Sequence, residues 1–194
     1  MIRYSLLTIP LLLATFALQP ILPVLHGFHE ARFLPVQVAF LCCALTVGQP
    51  TMLLLAFIGG FLWDAHSVLI PLPADPGFPQ PATETLRFGS STLLFAAAGL
   101  LMQGIQPLFR RGHWRMASLF TAMALLLWMV TEFSILSFLR GEWSPDGNTS
   151  LRILVSVALS SVLAPAILRL LHHTARACGH SIHPDSGRRR FFER

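Results

Sequence analysis

Six apolar runs, at 4–25, 35–48, 51–66, 89–109, 116–139 and 151–171, are separated only by polar loops that leave no stretch for a folded soluble domain. A membrane crossing takes about 20 apolar residues, so this spacing restricts the chain to helices packed side by side in a bilayer. Composition agrees. Of the 194 residues, 54% are hydrophobic and 12% charged, against roughly 25% charged in soluble domains. The expected fold is an all-α integral membrane bundle of six transmembrane helices over 1–171, followed by a basic tail over 172–194. The second and third runs are short, and Gly48-Gln49-Pro50 between them is a breaker signal. Read as one kinked helix, they reduce the count to five.

The run most informative about packing is Leu53 to Asp64, which carries adjacent glycines, Gly59 and Gly60, and stops on a carboxylate. Glycine lets helix backbones approach closely in lipid, where no hydrophobic force drives helices together. A buried carboxylate needs partners, and Asp64 is expected to accept hydrogen bonds from a helix terminus or a neighbouring serine. Asp64 and His66 do not form an acid–base pair on this reading. Two residues apart on a helix, they point about 200° from one another.

Small residues recur in the fourth run, at Ser90 to Thr92, Ala96 to Gly99 and Gly104, and in the last run at Ser156, Ser160 and Ser161. Glu132 is the sharpest ionisable residue inside an apolar run. It should face the bundle interior or a cavity, with Asp64, Arg87, Arg140 or Arg152 as candidate partners. Prolines at 10, 20 and 23 should kink or shorten the first helix, and Pro165 should kink the last. Five prolines between 71 and 81 exclude a helix there and define an outer loop.

All 14 basic residues are arginine, and the net charge is +5. Arg110, Arg111 and Arg115 cluster in one loop, and six more lie between Arg169 and Arg194, which places both segments in the cytoplasm by the positive-inside rule. Arg3 favours a cytoplasmic N-terminus, hence six crossings; the first run continues past any small-residue cleavage site and reads as an uncleaved span. Trp114 and Trp143 suit interfacial anchoring. The tail's basic charge is accounted for by orientation and attraction to anionic lipid, with no nucleic acid implied. Cys42, Cys43 and Cys178 form no disulfide pattern, and the histidines at 172, 173, 180 and 183 fit no zinc spacing. Hydrolase, zinc-protease and phosphate-loop templates are also missing, so neither catalytic residues nor a cofactor or metal site are expected.

The segment Gly60-Phe-Leu-Trp-Asp64, with Phe88-Gly89 at the start of the next run and Gly99 within it, resembles the rod-shape-determining membrane protein MreD family. That family has a Gly-Leu-x-x-Asp type motif closing its third helix and a Leu-Gly segment opening its fourth. Gln19-Pro20 in the first run, the chain length and the basic C-terminal end extend the resemblance. Ala56 and Leu100 stand where the family often has glycine and tyrosine, and the proline-rich loop is longer. The resemblance implies a non-enzymatic subunit of the bacterial elongation machinery in the inner membrane. Its implied partner is a bitopic MreC-type protein, and through it MreB-type filaments and peptidoglycan synthases. It gives a structural or partner-contact role to Gly60, Asp64, Gly89 and Gly99, to which the glycine pair adds Gly59 and the intramembrane acid adds Glu132. It also implies a bundle similar to the substrate-binding subunits of energy-coupling-factor vitamin transporters, which supplies the alternative function.

Overall fold

A computed structural model describes residues 2–22, 31–69, 89–110, 114–140 and 147–178. The described residues form seven α-helices and no strand: α1 (Ile2–Leu18), α2 (Pro35–Thr46), α3 (Gln49–Leu69), α4 (Ser90–Arg110), α5 (Trp114–Arg140), α6 (Gly147–Ser161) and α7 (Leu163–Ala177). Three stretches are long and apolar enough to cross a membrane: Tyr4–Ile21, Met116–Phe138 and Gly147–Ala177, the last made of α6 and α7 together. The chain is therefore an α-helical protein with the build of a membrane protein. The proline-rich loop at 70–81, the loops at 111–113 and 141–146 and the tail beyond 178 lie outside the described residues. So do the side chains of Arg3, Arg110, Trp114, Arg115 and Arg140.

The ends of the elements follow local chemistry. Proline density shortens the first helix: α1 stops at Leu18 and a single 3₁₀ turn, Gln19–Ile21, follows with Pro20 inside it. Pro35 occupies the first turn of α2, where its missing N–H removes no helical bond. Gly48 separates α2 from α3, so these are two helices. The last helix breaks at Val162, three residues before Pro165, whose ring and missing N–H interrupt the bonding of the preceding turn. It then continues through His172 and His173 to Ala177, so the stretch expected as a basic tail begins as helix. The stretch 163–177 keeps a buried stripe of Ala164, Leu168, Leu171 and Ala175 at helical spacing, and that stripe holds it against the bundle.

α2 sits at the centre. Every residue from Pro35 to Val47 is buried, as expected of a helix that is apolar all round. Its contacts establish the directions of its neighbours. Phe40 packs edge-on against Phe95 of α4 at 5.0 Å, and further on Ala44 and Leu45 meet Gln103 and Gln106, so α2 and α4 run the same way. Arg32, Leu34 and Cys42 meet Ser156, Ser160 and Ala164 in turn, so α6 and α7 do too. α1 and α3 are parallel to each other, matched at Ser5 with Thr51 and Phe16 with His66. α3 is antiparallel to α4, with Asp64 beside Gly89 at one end and Met52 beside Gly99 near the other. α1 and α3 thus run one way, and α2, α4, α6 and α7 run the other.

Twelve residues of α2 rise only about 18 Å, well short of a hydrocarbon core of about 30 Å. The helix alone therefore does not bridge that core, and side chains of neighbouring helices meet the backbone groups at both its ends. At the C-terminal end the Gln103 amide nitrogen donates to Ala44 O at 2.8 Å and Val47 O at 2.9 Å. The Gln106 amide donates to Leu45 O at 3.0 Å and Val47 O at 3.2 Å. At the other end Arg32 N and Leu34 N donate to the hydroxyl oxygens of Ser156 and Ser160, at 3.1 and 3.0 Å. Several other hydroxyls return to a carbonyl three or four residues back on their own helix, as Thr121 does to Ala117 and Thr174 to Leu171.

This capping predicts a non-additive pair. Gln103→Met and Gln106→Met should each cost about 1–2 kcal/mol in unfolding from detergent. The double variant should cost more than the sum, because Val47 O keeps one donor in each single variant and loses both in the double.

Candidate functional site

The α3–α4 seam is built on places where a side chain would not fit. A Cβ at Gly60 would strike the Thr92 backbone, lying 2.6 Å from its nitrogen. One residue earlier, a Cβ at Gly59 would come within 3.1 Å of the Phe95 ring and 3.5 Å of Leu12 on α1. A Cβ at Gly99 would run into Met52 and approach Phe40 to 3.1 Å. The glycine stripe that the sequence placed on one helix thus meets a second small-residue helix, and the backbones come close enough for polar groups to bridge them.

Asp64 is that bridge. One turn beyond Gly60 on the same face of α3, it is 3% exposed, and its Oδ2 accepts the Gly89 N–H at 2.6 Å. Gly89 has φ +97°, a left-handed conformation open to glycine, immediately before Ser90 starts α4. The carboxylate lies at the positive end of the α4 dipole, where negative charge is favoured. The expected reading of Asp64, as acceptor for a helix terminus, describes this contact. His66 turns the other way, its ring edge-on to Phe16 of α1 at 5.5 Å.

Glu132 stands apart from the seam. It lines a cavity of about 580 Å³ at the end of the bundle where α2 begins. Helical spacing explains who else is there. Met129, Glu132, Phe133 and Leu136 share one face of α5, and Thr149, Arg152, Ile153 and Ser156 share one face of α6. Trp63 and His66 close the α3 side, while Gln19, Pro20, Leu22 and the Arg32–Leu34 segment form the rest. Of the candidate partners for Glu132, Arg152 shares the cavity and Asp64 is turned to the seam. Arg87 and the Arg140 side chain lie outside the described residues. One turn before Glu132, buried Trp128 packs edge-on against Phe95 at 4.5 Å, linking the cavity wall to the seam.

Five of the six singled-out residues, Gly59, Gly60, Asp64, Gly89 and Gly99, therefore meet along one seam, and Glu132 belongs to the cavity. Sequence reasoning missed Gln103, Gln106, Arg32 and Trp63. The glutamines carried a signal, since two amides three residues apart within an apolar run need buried acceptors. Among the described residues no three His, Cys, Asp or Glu side chains converge as metal ligands would. Compared with known proteins, the chain matches no family model, no curated protein and no solved structure.

The seam predicts a ranking. Gly60→Ala should destabilise by about 1–3 kcal/mol, because the obstructing atoms are backbone. Gly99→Ala should cost less, since the Met52 side chain can turn away. Gly104→Ala, with open space around its Cβ, should be neutral or stabilising by up to about 1 kcal/mol. Thermal unfolding of the three variants in one detergent checks the order.

The cap predicts a second comparison. Asp64→Asn keeps an acceptor and should lose under about 1 kcal/mol, whereas Asp64→Ala leaves Gly89 N–H without it and should lose about 1–2 kcal/mol. Denaturation of both against the parent protein provides the measurement.

Proposed function

We propose that the protein is a non-enzymatic scaffold subunit of the bacterial cell-elongation complex, of the MreD type. In this role it holds a bitopic MreC-type partner in the inner membrane and, through it, acts on MreB-type filaments and peptidoglycan synthases. The observation that carries the reading is the meeting of the two separated motif halves. Gly60 rests on Thr92, and Asp64 accepts the amide of Gly89. A motif whose members cap and pack one another has a structural task, and it leaves the outward faces of α3 and α4 for lipid or a partner helix. Phe57 and Phe61 on α3 and Leu93 and Leu100 on α4 are exposed there.

In this reading the helices are six crossings, with α6 and α7 together forming the last. The arginine clusters at 110–115 and 169–194 support a cytoplasmic C-terminus with the Asp64 end outermost, and Arg3 supports an N-terminus on the same side as the C-terminus.

A second reading, a substrate-binding subunit of a vitamin-type transporter, is favoured by the cavity at the Asp64 end. Its volume lies within the range of small-molecule sites, and polar groups from α3, α5 and α6 converge on it.

Affinity capture of the protein from native membranes separates the two. The scaffold reading expects an MreC-type protein as a stoichiometric partner and loss of rod shape on depletion. Absence of that partner together with unchanged cell width would sink it.

A further inference from the structure

The cavity at the Asp64 end exists because α2 is short. A central helix of full length would fill the space above Leu34; instead Leu34, the N-cap residue of α2, forms part of the cavity lining. The positive end of the α2 dipole therefore points into an open-mouthed space bordered by the ends of α1, α3, α5 and α6. The charges placed there are unequal. Arg32 and Arg152 contribute two permanent positive charges, Glu132 contributes one acid, and His66 adds a third basic group. Among the described lining residues, even with His66 neutral and Glu132 ionised, the two guanidiniums against one carboxylate leave a net charge of +1. The remaining wall combines the uncharged polar groups of Gln19, Thr149 and Ser156 with an apolar, partly aromatic side that includes Trp63, Phe133, Met129, Leu136 and Ile153.

From this arrangement we infer that the cavity binds an amphiphilic anion: a phosphate or carboxylate held by Arg152 and Arg32 above the α2 N-terminus, with an apolar body against Trp63 and Phe133. Arg152 is the central residue. It lies one turn before Ser156 on α6, and the Ser156 hydroxyl oxygen accepts the Arg32 amide at 3.1 Å, so the two arginines are carried by linked backbone. Arginine suits the task because its planar fork binds phosphate or carboxylate with two parallel hydrogen bonds. Trp63 offers the face on which an aromatic or alkyl body packs. The inference rests on the ligand-binding reading of the cavity and is independent of the partner proposed for the scaffold.

The test uses the full-length protein in phosphatidylcholine nanodiscs, read by tryptophan fluorescence and thermal unfolding. The soluble probe is 1-naphthyl phosphate, with 1-naphthol and inorganic phosphate as the matched body and anion alone. A second arm replaces a fifth of the lipid with phosphatidylglycerol. Saturable binding of 1-naphthyl phosphate, at least tenfold tighter than 1-naphthol and weakened at least tenfold by Arg152→Gln, supports a free anion as ligand. Stabilisation by phosphatidylglycerol that Arg152→Gln abolishes, while the basic C-terminal residues are unchanged, supports a lipid headgroup as the source. Leu136→Trp, which fills the cavity from the α5 side, should remove either effect in a protein that still unfolds cooperatively. Binding of 1-naphthol as tight as that of its phosphate and indifferent to Arg152→Gln would overturn the anion and leave a binding cavity. Absence of any response in both arms, or responses equal in Arg152→Gln and parent, would overturn the ligand site altogether.

Discussion

The structure depends on satisfying the backbone of a helix too short for the membrane it lies in. α2 is buried on every side. Carbonyls and amides left unpaired in such a setting would each cost free energy comparable to a lost hydrogen bond. Two glutamines of α4 and two serines of α6 supply those partners. The four side chains do more than cap: they set the depth of α2 against the longer helices, because sliding it by one turn would separate all of them from their acceptors and donors. Interhelical hydrogen bonds of this kind add only about 0.6–1.7 kcal/mol each. Their value lies in being directional where apolar packing is not.

Close approach at the α3–α4 seam plays the complementary part. Van der Waals packing falls off within an ångström, so an antiparallel pair of helices gains most where glycine removes the spacer. Gly60 against Thr92 brings the backbones together, and only then does the short side chain of Asp64 reach Gly89 at 2.6 Å. The contact and the cap depend on each other. Separating the helices by the width of a methyl group at Gly60 would draw the carboxylate from its amide, and removing the carboxylate would free the first turn of α4 to fray.

Much of this was legible in the sequence. The apolar runs announced helices, proline and glycine marked where they stop, and Asp64 following a glycine pair announced a buried acceptor. The break between the short second and third runs resolved into two helices of unequal length, because Gly48 ends one and Gln49 starts the other. Two features were not legible. Helicity beyond His172 was hidden because polar residues in that stretch outnumber the buried stripe that holds it, and only packing against α2 and α5 explains its order. The cavity was hidden because it is made by absence: its walls come from helices more than a hundred residues apart, and only the three-dimensional end of α2 leaves the space open.

The seam and the cavity share one structural element, and helical spacing keeps them separate. Gly60 and Asp64, four residues apart, lie on the side of α3 that faces α4, while Trp63 and His66, three apart, lie on the side that lines the cavity. The Asp64–Gly89 bond therefore holds the outer turn of α3 from behind while its front forms a wall. The aromatic chain Phe40, Phe95, Trp128 then carries the same restraint from α2 through α4 to α5, one turn below Glu132. A partner helix pressing on the exposed side of α3 or α4 would meet a wall pinned at both levels. Because each pin is a short-range contact with little slack, the cavity keeps its shape when the outer surface of the bundle is occupied. The glycine and aspartate of the motif thus fix the position of a wall they do not themselves touch.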